Sequence, residues 1–281
     1  MNRADRFNGN SNTESALIID ECSVASCAIA FMAKASAPGR AKTRLVPPLT
    51  FDEAADLNTA FLQDVADNLE LASRRTREPI AIAGYAAYGP PGSEDFFRTI
   101  LPQSIGLLGA WLPNFGDCLS HTIRELLQRG HDSAVVLNAD SPTLPTAFLV
   151  ETAEALARPG DRAVLGPSTD GGYYLLGLKA AHRRMFEDID WSTERVAEQT
   201  LERAREIDLE IHTLPAWYDV DDLDDLRRLY GEACGPDEDR RRDGVVPHRA
   251  GQTAALMQKL VRGRDFLRSS ARILQAEEMR A

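Results

Sequence analysis

Short apolar runs alternate along the chain with stretches in which apolar residues recur every three or four positions. The runs predict β-strands at CAIAFMAK, PIAIAGYA, SAVVLNAD, RAVLGPS, YYLLGLK and LEIHTLP. The clearest helical stretch begins at Thr50, where Glu53 completes a capping box, and it places Leu57, Phe61 and Val65 on one face. The pattern therefore predicts regularly alternating strands and helices.

Further helices are predicted in GDCLSHTIRELLQRG, which ends before Gly130, near residues 146–157, and in STERVAEQTLERAREI. Strands separated by helices of this length favour a mostly parallel sheet that is covered by helices on both faces. The predicted fold class is therefore α/β.

The ends of the chain differ from this alternating region. Residues 1–24 are polar and lack periodicity, which predicts a disordered lead-in, and residues 25–233 form the predicted α/β domain. Residues 234–249 include GPDEDRRRDG and are predicted to be a charged linker. Residues 250–281 have helical spacing, so we expect one or two helices that dock on the domain or on another subunit.

Composition and charge exclude several classes of partner. The chain has 281 residues, of which 43% are hydrophobic, so it can bury a sizeable core, and its net charge of -11 disfavours nucleic acid and anionic membranes as partners. No apolar run is long enough to cross a bilayer, and the start of the chain is unlike a signal peptide. The four cysteines show neither a disulfide pattern nor zinc spacing, so we expect a cytoplasmic protein.

The segment KASAPGRAKTRL, after the first predicted strand, is the strongest candidate for anion binding. Pro38 and Gly39 permit a tight turn that exposes backbone N–H groups, and Lys42 and Arg44 can both reach one polyanion. The loop is not a Walker A motif, because Ala41 occupies the position of its second glycine. The segment predicts phosphate binding, although a solvated turn with incidental arginines remains an alternative.

Carboxylates that follow the strands suggest a metal site. Asp140 ends SAVVLNAD, and Pro142 and Pro145 delay the next helix, which therefore begins too far on for Asp140 to cap it. Mg²⁺ takes one or two carboxylates together with phosphate oxygens and water, so Asp140 is a candidate ligand. Asp219 and Asp221 point to one side of an extended segment, and Asp221 is the preferred second ligand, while the later acids of YDVDDLDDL favour a helix start.

Two further features leave their alternatives open. The sequence of Asp170, Gly171 and Gly172 permits positive φ and close approach to a ligand, but it is equally typical of a hairpin turn. Trp191 in DWST either lines an acceptor pocket or packs in the core, as a lone aromatic residue usually does.

Five motifs together resemble a known family. MAKASAPGRAKTRL, NADSPTLP, GPSTDGGYYLLGL, DWSTERV and YDVDDLDDL occur in that order within residues 26–231. They are similar to the GT-A-type transferases labelled radical-SAM/selenodomain-associated transferases, which are relatives of 2-phospho-L-lactate guanylyltransferase. The resemblance implies a nucleotide-diphospho-sugar transferase fold, with a nucleotide at the first loop and Mg²⁺ or Mn²⁺ between the strand-end Asp and the late Asp-x-Asp.

Residue by residue, the resemblance implies the following roles. Nucleotide binding falls on Gly39, Lys42 and Arg44, and metal binding falls on Asp140 and on Asp219 or Asp221. Beyond the resemblance, Lys34, Ala35 and Pro38 are further candidates for nucleotide binding, and the candidates for acceptor contacts are Asp170, Gly171, Gly172 and Trp191. Lys42, Arg44 and Asp140 are the expected catalytic residues. The segment NFGDCLSHTI departs from the family pattern, since Asp117, Cys118 and His121 stand where the family has a Gly-Glu-Arg version.

The expected function is a Mg²⁺-dependent transfer of a nucleoside monophosphate from a triphosphate to a small anionic acceptor, with release of pyrophosphate. An acceptor that is already an oxyanion needs no general base. The alternatives are a glycosyltransferase that uses a nucleotide-sugar donor and a catalytically silent nucleotide-binding module. Assembly into a homo-oligomer is also possible.

Overall fold

A single mixed sheet forms the centre of the protein. The computed structural model describes residues 24–236 and 244–262. Its seven strands are β1 (Ala25–Lys34), β2 (Ile80–Gly89), β3 (Gly106–Gly109), β4 (Ser133–Leu137), β5 (Arg162–Pro167), β6 (Tyr173–Leu178) and β7 (Glu210–Thr213). They lie in the order β3-β2-β1-β4-β6-β5-β7, and only β6 runs antiparallel to its neighbours. The mostly parallel arrangement is as predicted.

Helices cover both faces of this sheet. They are α1 (Phe51–Arg75), α2 (Glu94–Ile100), α3 (Phe115–Gln128), α4 (Thr146–Ala157), α5 (Val196–Glu206), α6 (Leu223–Cys234) and α7 (Gly251–Arg262). One buried apolar cluster joins the sheet to α1, α2, α4, α6 and α7, and a second joins its other face to α3 and α5. The α/β fold class with helices on both faces is therefore confirmed.

The helix predicted at Thr50 has the expected capping box. The Glu53 N–H donates to Thr50 Oγ1 at 3.2 Å, and the Thr50 N–H donates to Glu53 Oε2 at 2.7 Å. These bonds satisfy two backbone donors that a helix start leaves free. Residues 46–50 connect the basic loop to this capped first turn.

The sequence did not predict α2 and β3. These elements have only seven and four residues, so neither is long enough to show a periodic pattern. The structure nevertheless places β3 at the edge of the sheet, parallel to β2. The residues that follow β3 therefore reach the same edge of the sheet as the basic loop.

The antiparallel direction of β6 determines at which edge of the sheet the turn before it lies. Because β6 runs opposite to β5, the turn between them lies at the carboxyl edge of the parallel strands. The Ser168 N–H donates to the Gly172 carbonyl at 2.9 Å and closes this turn. The Asp-Gly-Gly segment is therefore brought to the same edge as the ends of β1 and β4.

The C-terminal part docks on the domain. Helix α7 packs against α1 and α6. Asp64 of α1 caps it, because its carboxylate accepts from the Gln252 N–H at 2.9 Å and the Thr253 N–H at 2.8 Å. The predicted lead-in up to residue 23, part of the predicted linker (237–243) and residues 263–281 lie outside the described residues. Within the described ranges, no helix has the length and apolar character to cross a membrane.

The Asp64 cap predicts a pH-dependent stability. Burial, with a smaller effect of Asp67, raises the pKa of Asp64 to about 6, although the bonds from Gln252 and Thr253 oppose this rise. The native state therefore holds the proton more tightly than the unfolded chain. As the pH rises from about 4 to about 7, wild type should lose about 2 kcal/mol of unfolding free energy relative to Asp64→Asn.

Chemical denaturation of both proteins at several pH values measures this difference. Asp56→Asn, at an exposed position of the same helix, is the matched control and should follow wild type. Equal pH dependence of wild type and Asp64→Asn would show that Asp64 titrates normally.

Candidate active site

Four segments meet at the carboxyl edge of the sheet. They are the loop after β1 (37–44), the loop after β4 (138–145), the turn before β6 (168–172) and the segment before α6 (218–221). In open parallel sheets, this edge is where ligands bind. The cleft between these segments contains most of the candidate residues from the sequence.

The basic loop begins with a tight turn. The Arg40 N–H donates to the Ala37 carbonyl at 3.0 Å, and Gly39 between them has a φ of 73°, which is typical of the third position of a type II turn. Asn58 of α1 holds the start of the loop, because its Nδ2 donates to the Lys34 carbonyl at 3.2 Å. Pro38 and Gly39 shape the loop and are exposed, but they do not line the cleft.

Lys42 lies between two carboxylates. Its Nζ is 2.9 Å from Asp140 Oδ1 and 3.8 Å from Asp221 Oδ1, and its side chain is only 6% exposed. The same ammonium donates to the Val220 carbonyl at 2.6 Å. Lys42 therefore neutralises the candidate metal ligands and leaves at most one N–H for a phosphate. The sequence predicted that Lys42 can reach a polyanion, but it did not predict these carboxylate and carbonyl partners.

Hydrogen bonds join the two carboxylate segments, which are the segment with Asp140 and the segment with Asp221. The Val220 N–H donates to the Asp140 carbonyl at 3.0 Å, and Ser141 Oγ donates to the Tyr218 carbonyl at 2.8 Å. Arg44 Nη1 donates to Asp221 Oδ2 at 2.9 Å. The backbone bonds fix the separation of Asp140 and Asp221, so their side chains converge without depending on flexible contacts.

A buried hydrogen-bond network involves residues of both segments and Glu232 of α6. Tyr218 Oη and Thr143 Oγ1 both donate to Glu232 Oε2 of α6, at 2.6 and 2.9 Å. The Arg228 guanidinium lies 3.6 Å from the centre of the Tyr218 ring. Because Glu232 is buried and pairs with Arg228, the network is charge-compensated and holds the edge of the cleft rigidly.

Asp219 and the later acids occupy different environments. Ser168 Oγ donates to Asp219 Oδ1 at 2.9 Å. Burial, followed by the charges of Asp170 and Asp221, raises the pKa of Asp219 to about 6. In contrast, Asp222 caps α6 in a capping box with Asp225, so the prediction of a helix start is confirmed.

The charge of the residues that line the cleft changes from positive to negative along its length. At one end the charged lining residues are Lys34, Arg40, Lys42 and Arg44, together with Asp140 and Asp221, so cations outnumber carboxylates there. A neighbouring apolar recess shares Lys34 and Arg40 and is formed by Ala35, Ala37, Pro90 and the half-exposed Trp111. The opposite end is lined by Asp140, Asp170, Glu194, Asp219 and Asp221. Arg44, Asp140 and Asp221 line both ends and mark the boundary. A polyanion is complementary only to the first end.

The acidic end is a cavity of about 410 Å³, which is within the size range of small-molecule sites. The Asp-Gly-Gly turn forms one wall, and it is both the hairpin turn and a lining segment. Gly171 has a φ of 92°, and a Cβ there would lie 2.0 Å from the Glu194 carbonyl oxygen. The Ala197 N–H also donates to the Gly171 carbonyl at 3.0 Å, which locks the turn against the DWST segment.

Trp191 both packs and lines this cavity. Its ring makes edge contacts with Phe115 and Tyr173, at centroid distances of 5.7 and 6.4 Å. A Cβ at position 116 would lie 2.5 Å from the Trp191 indole nitrogen, so Gly116 makes room for the ring. Trp191 therefore packs against neighbouring aromatic rings and also lines the cavity, while its contact with an acceptor stays a prediction.

Several lining residues were not singled out in the sequence. Trp111 follows β3, whose four residues gave no strand signal. Arg40 and Asn138 lie within motifs that were identified, but the sequence did not distinguish them from their neighbours. Glu194 belongs to the STERV helix start, where an acid has an ordinary structural explanation.

The carboxylates suit a hard divalent cation. Asp140, Asp219 and Asp221 offer the oxygen ligands that Mg²⁺ and Mn²⁺ prefer, and the Lys42 ammonium shows that positive charge is already favoured between two of them. In the described part of the chain, no three His, Cys, Asp or Glu side chains are arranged to hold a metal by themselves. The residues therefore fit a metal that is completed by phosphate and water oxygens.

The fold and the cleft define a GT-A-like α/β protein. Comparison with known proteins supports this assignment of the fold. Residues 74–193 match the family described as "Uncharacterized protein conserved in bacteria (DUF2064)". The crystal structure of a "putative nucleotide-diphospho-sugar transferase" from Desulfovibrio desulfuricans G20 is 28% identical, with a TM-score of 0.68, over 83% of this chain and 94% of that one. No curated protein matches the sequence significantly.

Two further solved structures match with lower similarity. A cytidylyltransferase from Leptospira borgpetersenii serovar Hardjo-bovis is 10% identical with a TM-score of 0.48, over 86% of this chain and 96% of that one. A 4-diphosphocytidyl-2C-methyl-D-erythritol synthase from Anaerococcus prevotii is 11% identical with a TM-score of 0.44, over 72% and 92%. None of these matches names a radical-SAM association or 2-phospho-L-lactate guanylyltransferase, so that part of the resemblance stays a prediction.

Proposed function

We propose that the protein is a divalent-metal-dependent transferase that moves a nucleotidyl group from a nucleoside triphosphate to a small acceptor and releases pyrophosphate. The observation that carries the proposal is the Lys42 ammonium 2.9 Å from Asp140, at the point where the basic end of the cleft meets the acidic end. A triphosphate at the basic end would have its reacting phosphorus at this boundary.

The nucleotide fits the cleft in one direction. Its phosphates lie along the basic loop, within reach of Arg40 and Lys42, and its base lies in the recess beside Trp111 and Pro90. Aromatic side chains stack on bases with about 1–3 kcal/mol per base. The exposed indole ring therefore supplies binding energy away from the reacting phosphate.

The residues of the chain have separate roles in the transfer. An acceptor oxygen forms a bond to the α-phosphorus, and the bond from that phosphorus to the bridging oxygen breaks, so pyrophosphate leaves with the bonding electrons. Arg44 is 77% exposed and stabilises the charge on the leaving phosphates, while Lys42 holds Asp140 in place. Bound at Asp140, Asp219 and Asp221, a Mg²⁺ or Mn²⁺ ion would supply Lewis-acid polarisation of the phosphate.

Glycosyl transfer is the second candidate. It is favoured by the similarity to the Desulfovibrio protein, whose name describes a nucleotide-diphospho-sugar transferase. The same cleft would then hold the diphosphate at the basic end and the sugar at the acidic end. The two reactions differ in the leaving group, which is pyrophosphate in the first and a nucleoside diphosphate in the second.

The products distinguish the two reactions. We expect acceptor-dependent pyrophosphate when the full chain is incubated with Mg²⁺, a panel of acceptors and each nucleoside triphosphate in turn. Release of nucleoside diphosphate from nucleotide sugars would instead establish glycosyl transfer. If neither product forms while nucleotides still bind, as a nucleotide-binding module would behave, the proposed transferase function is wrong.

Trp111→Ala should weaken nucleotide binding in the same experiment, whereas Trp111→Phe should retain most of it.

A further inference from the structure

We infer that the C-terminal segment, residues 244–262, positions the loop that carries Asp140, so that docking of this segment is linked to binding of the metal. Such a link rests on the metal site of the proposed function and adds a control over that site from outside the cleft. None of the described residues that line the two ends of the cleft belongs to the segment. The connection to the site runs through Thr143.

A hydrogen bond joins the C-terminal segment to the loop after Asp140. The His248 N–H donates to the Thr143 carbonyl at 3.0 Å. Thr143 is fully buried, so water cannot replace this donor as the partner of its carbonyl. Thr143 lies in a turn that begins directly after Asp140, in which the Leu144 N–H donates to the Ser141 carbonyl at 3.0 Å. The C-terminal segment therefore holds the turn that fixes the end of the Asp140 segment.

Thr143 also connects the C-terminal segment to the second carboxylate segment. Its hydroxyl donates to Glu232 Oε2 at 2.9 Å, and Tyr218 Oη donates to the same oxygen at 2.6 Å. Tyr218 directly precedes Asp219, one of the candidate metal ligands. Because Thr143 is buried outside the lining of the cleft, it acts on the metal only through these carboxylate segments. Thr143 is therefore a positioning residue.

Helix α1 anchors both the C-terminal segment and the Asp140 loop. The Asp64 carboxylate accepts two backbone N–H bonds at the start of α7. Asn68 lies four residues further on, and therefore on the same face of the helix. Its Nδ2 donates to the Leu144 carbonyl at 2.7 Å, and its Oδ1 accepts from Thr146 Oγ1 at 2.7 Å. The start of α7 and the end of the Asp140 loop thus share one rigid support.

The backbone of the C-terminal segment is strained just before α7. Ala250 is fully buried and has a φ of 39°, in the left-handed region that residues with a Cβ rarely adopt. Such a conformation persists only where the surrounding contacts outweigh its cost. The flanking contacts are the His248 bond to Thr143 on one side and the Asp64 cap on the other. Docking therefore depends on a bond to the Asp140 loop.

The coupling between docking and metal binding must be reciprocal. Groups that hold metal ligands in place raise the affinity for the metal, and bound metal must then favour the docked segment by the same factor. The start of the basic loop is held separately, by Asn58 of α1. Binding of a triphosphate without metal should therefore be independent of the C-terminal segment. A general loss of stability would weaken both kinds of binding.

Met257→Asp in the full chain should undock α7. Met257 is 1% exposed in the cluster that joins α7 to α1 and α6, and an unpaired carboxylate is costly to bury there. We expect calorimetric titration to show at least about fivefold weaker binding of Mn²⁺ and an unchanged affinity for inorganic triphosphate in the absence of metal. Gln258→Asp, at the adjacent exposed position, is the matched control and should bind both as wild type does.

Thr143→Val tests the connection without a change in α7. It keeps the shape of the side chain and removes the donor to Glu232, so the affinity for Mn²⁺ should fall. Thr143→Ser restores the hydroxyl and should recover the affinity. Thr152→Val is the matched control, since Thr152 is also fully buried but its hydroxyl donates to the Phe148 carbonyl within α4.

Hydrogen exchange of wild type, followed by mass spectrometry, measures the reciprocal effect without a variant. Saturating Mn²⁺ should slow the exchange of the amides of residues 248–262 by at least about fivefold. The amides of α2, near the β3 edge of the sheet, should exchange at an unchanged rate. The same measurement on Met257→Asp verifies that α7 has undocked. If that variant no longer binds triphosphate, it has lost the fold, and Thr143→Val and wild type decide.

Two outcomes would overturn the inference: wild-type affinity for Mn²⁺ in a variant whose α7 has undocked, or unchanged exchange of residues 248–262 when Mn²⁺ is bound. Failure of wild type to bind Mn²⁺ would overturn it as well. If the linkage is found but no acceptor supports group transfer, the inference stands while the proposed function fails. If transfer occurs and neither Met257→Asp nor Thr143→Val changes the affinity for Mn²⁺, the opposite conclusion follows.

Discussion

Asp140→Asn should lower turnover on the order of 1,000-fold and leave the fold intact. The substitution keeps the shape of the side chain and the backbone bond from Val220 to the carbonyl of residue 140, so the two carboxylate segments remain joined. It removes one of the two negative charges beside Lys42. A loss of that size corresponds to about 4 kcal/mol of transition-state stabilisation, which is within the several kcal/mol that a metal supplies.

The readouts are initial rates over a Mg²⁺ titration and the midpoint of thermal unfolding. Asp132→Asn is the matched control, because Asp132 precedes β4 as Asp140 follows it, and its carboxylate accepts a bond from the Ser26 N–H at the opposite edge. The control should keep wild-type rates. Full activity of Asp140→Asn at the Mg²⁺ concentration that saturates wild type would remove Asp140 from the mechanism.

Lys42→Met should weaken triphosphate binding by about 1.5–3 kcal/mol, which is the range for a hydrogen bond to a charged group. The buried ammonium contacts Asp140, Asp221 and the Val220 carbonyl, so its removal leaves two carboxylates facing each other. The apparent affinity for the metal should rise at the same time, because the competing cation between the ligands is gone. A lower affinity for triphosphate together with a higher affinity for the metal is the result expected when the Lys42 ammonium lies between the two carboxylates.

Calorimetric titration with a triphosphate and, separately, with Mn²⁺ measures both affinities. Lys179→Met is the matched control, since Lys179 donates to the Arg158 carbonyl at 2.6 Å on the other edge of the sheet. It should change neither affinity. If Lys42→Met binds triphosphate as wild type does, then Lys42 only supports the carboxylate segments and does not contact the nucleotide.

Much of the site could be predicted because it depends on strand order. Residues after parallel strands reach one edge of a sheet, so Lys42 after β1 and Asp140 after β4 were expected to lie on the same side. The capping boxes at Thr50 and Asp222 could also be read directly, because they depend on residues three positions apart. The shared edge follows from the topology of the sheet, and the capping boxes follow from the local sequence.

The features that the sequence did not predict depend on packing between distant segments. The burial of Lys42 against Val220 follows from the joining of the 138–141 and 218–221 segments, and no spacing within either segment encodes it. The excess of acidic residues at the opposite end of the cleft arises in the same way, since Asp170, Glu194 and Asp219 come from three separate loops. Trp111 was missed because the strand before it is too short to show a pattern.

The joining of the 138–141 segment to the 218–221 segment has a consequence for synthesis of the protein. A nascent polypeptide that has left the ribosome as far as β4 already carries the basic loop and Asp140, but Val220 and Asp221 are still untranslated. Until they emerge, Lys42 lacks one carboxylate and its backbone carbonyl partner. The cleft is therefore completed late in translation, and a product truncated before residue 219 would lack two of the three carboxylates that we propose to bind the metal.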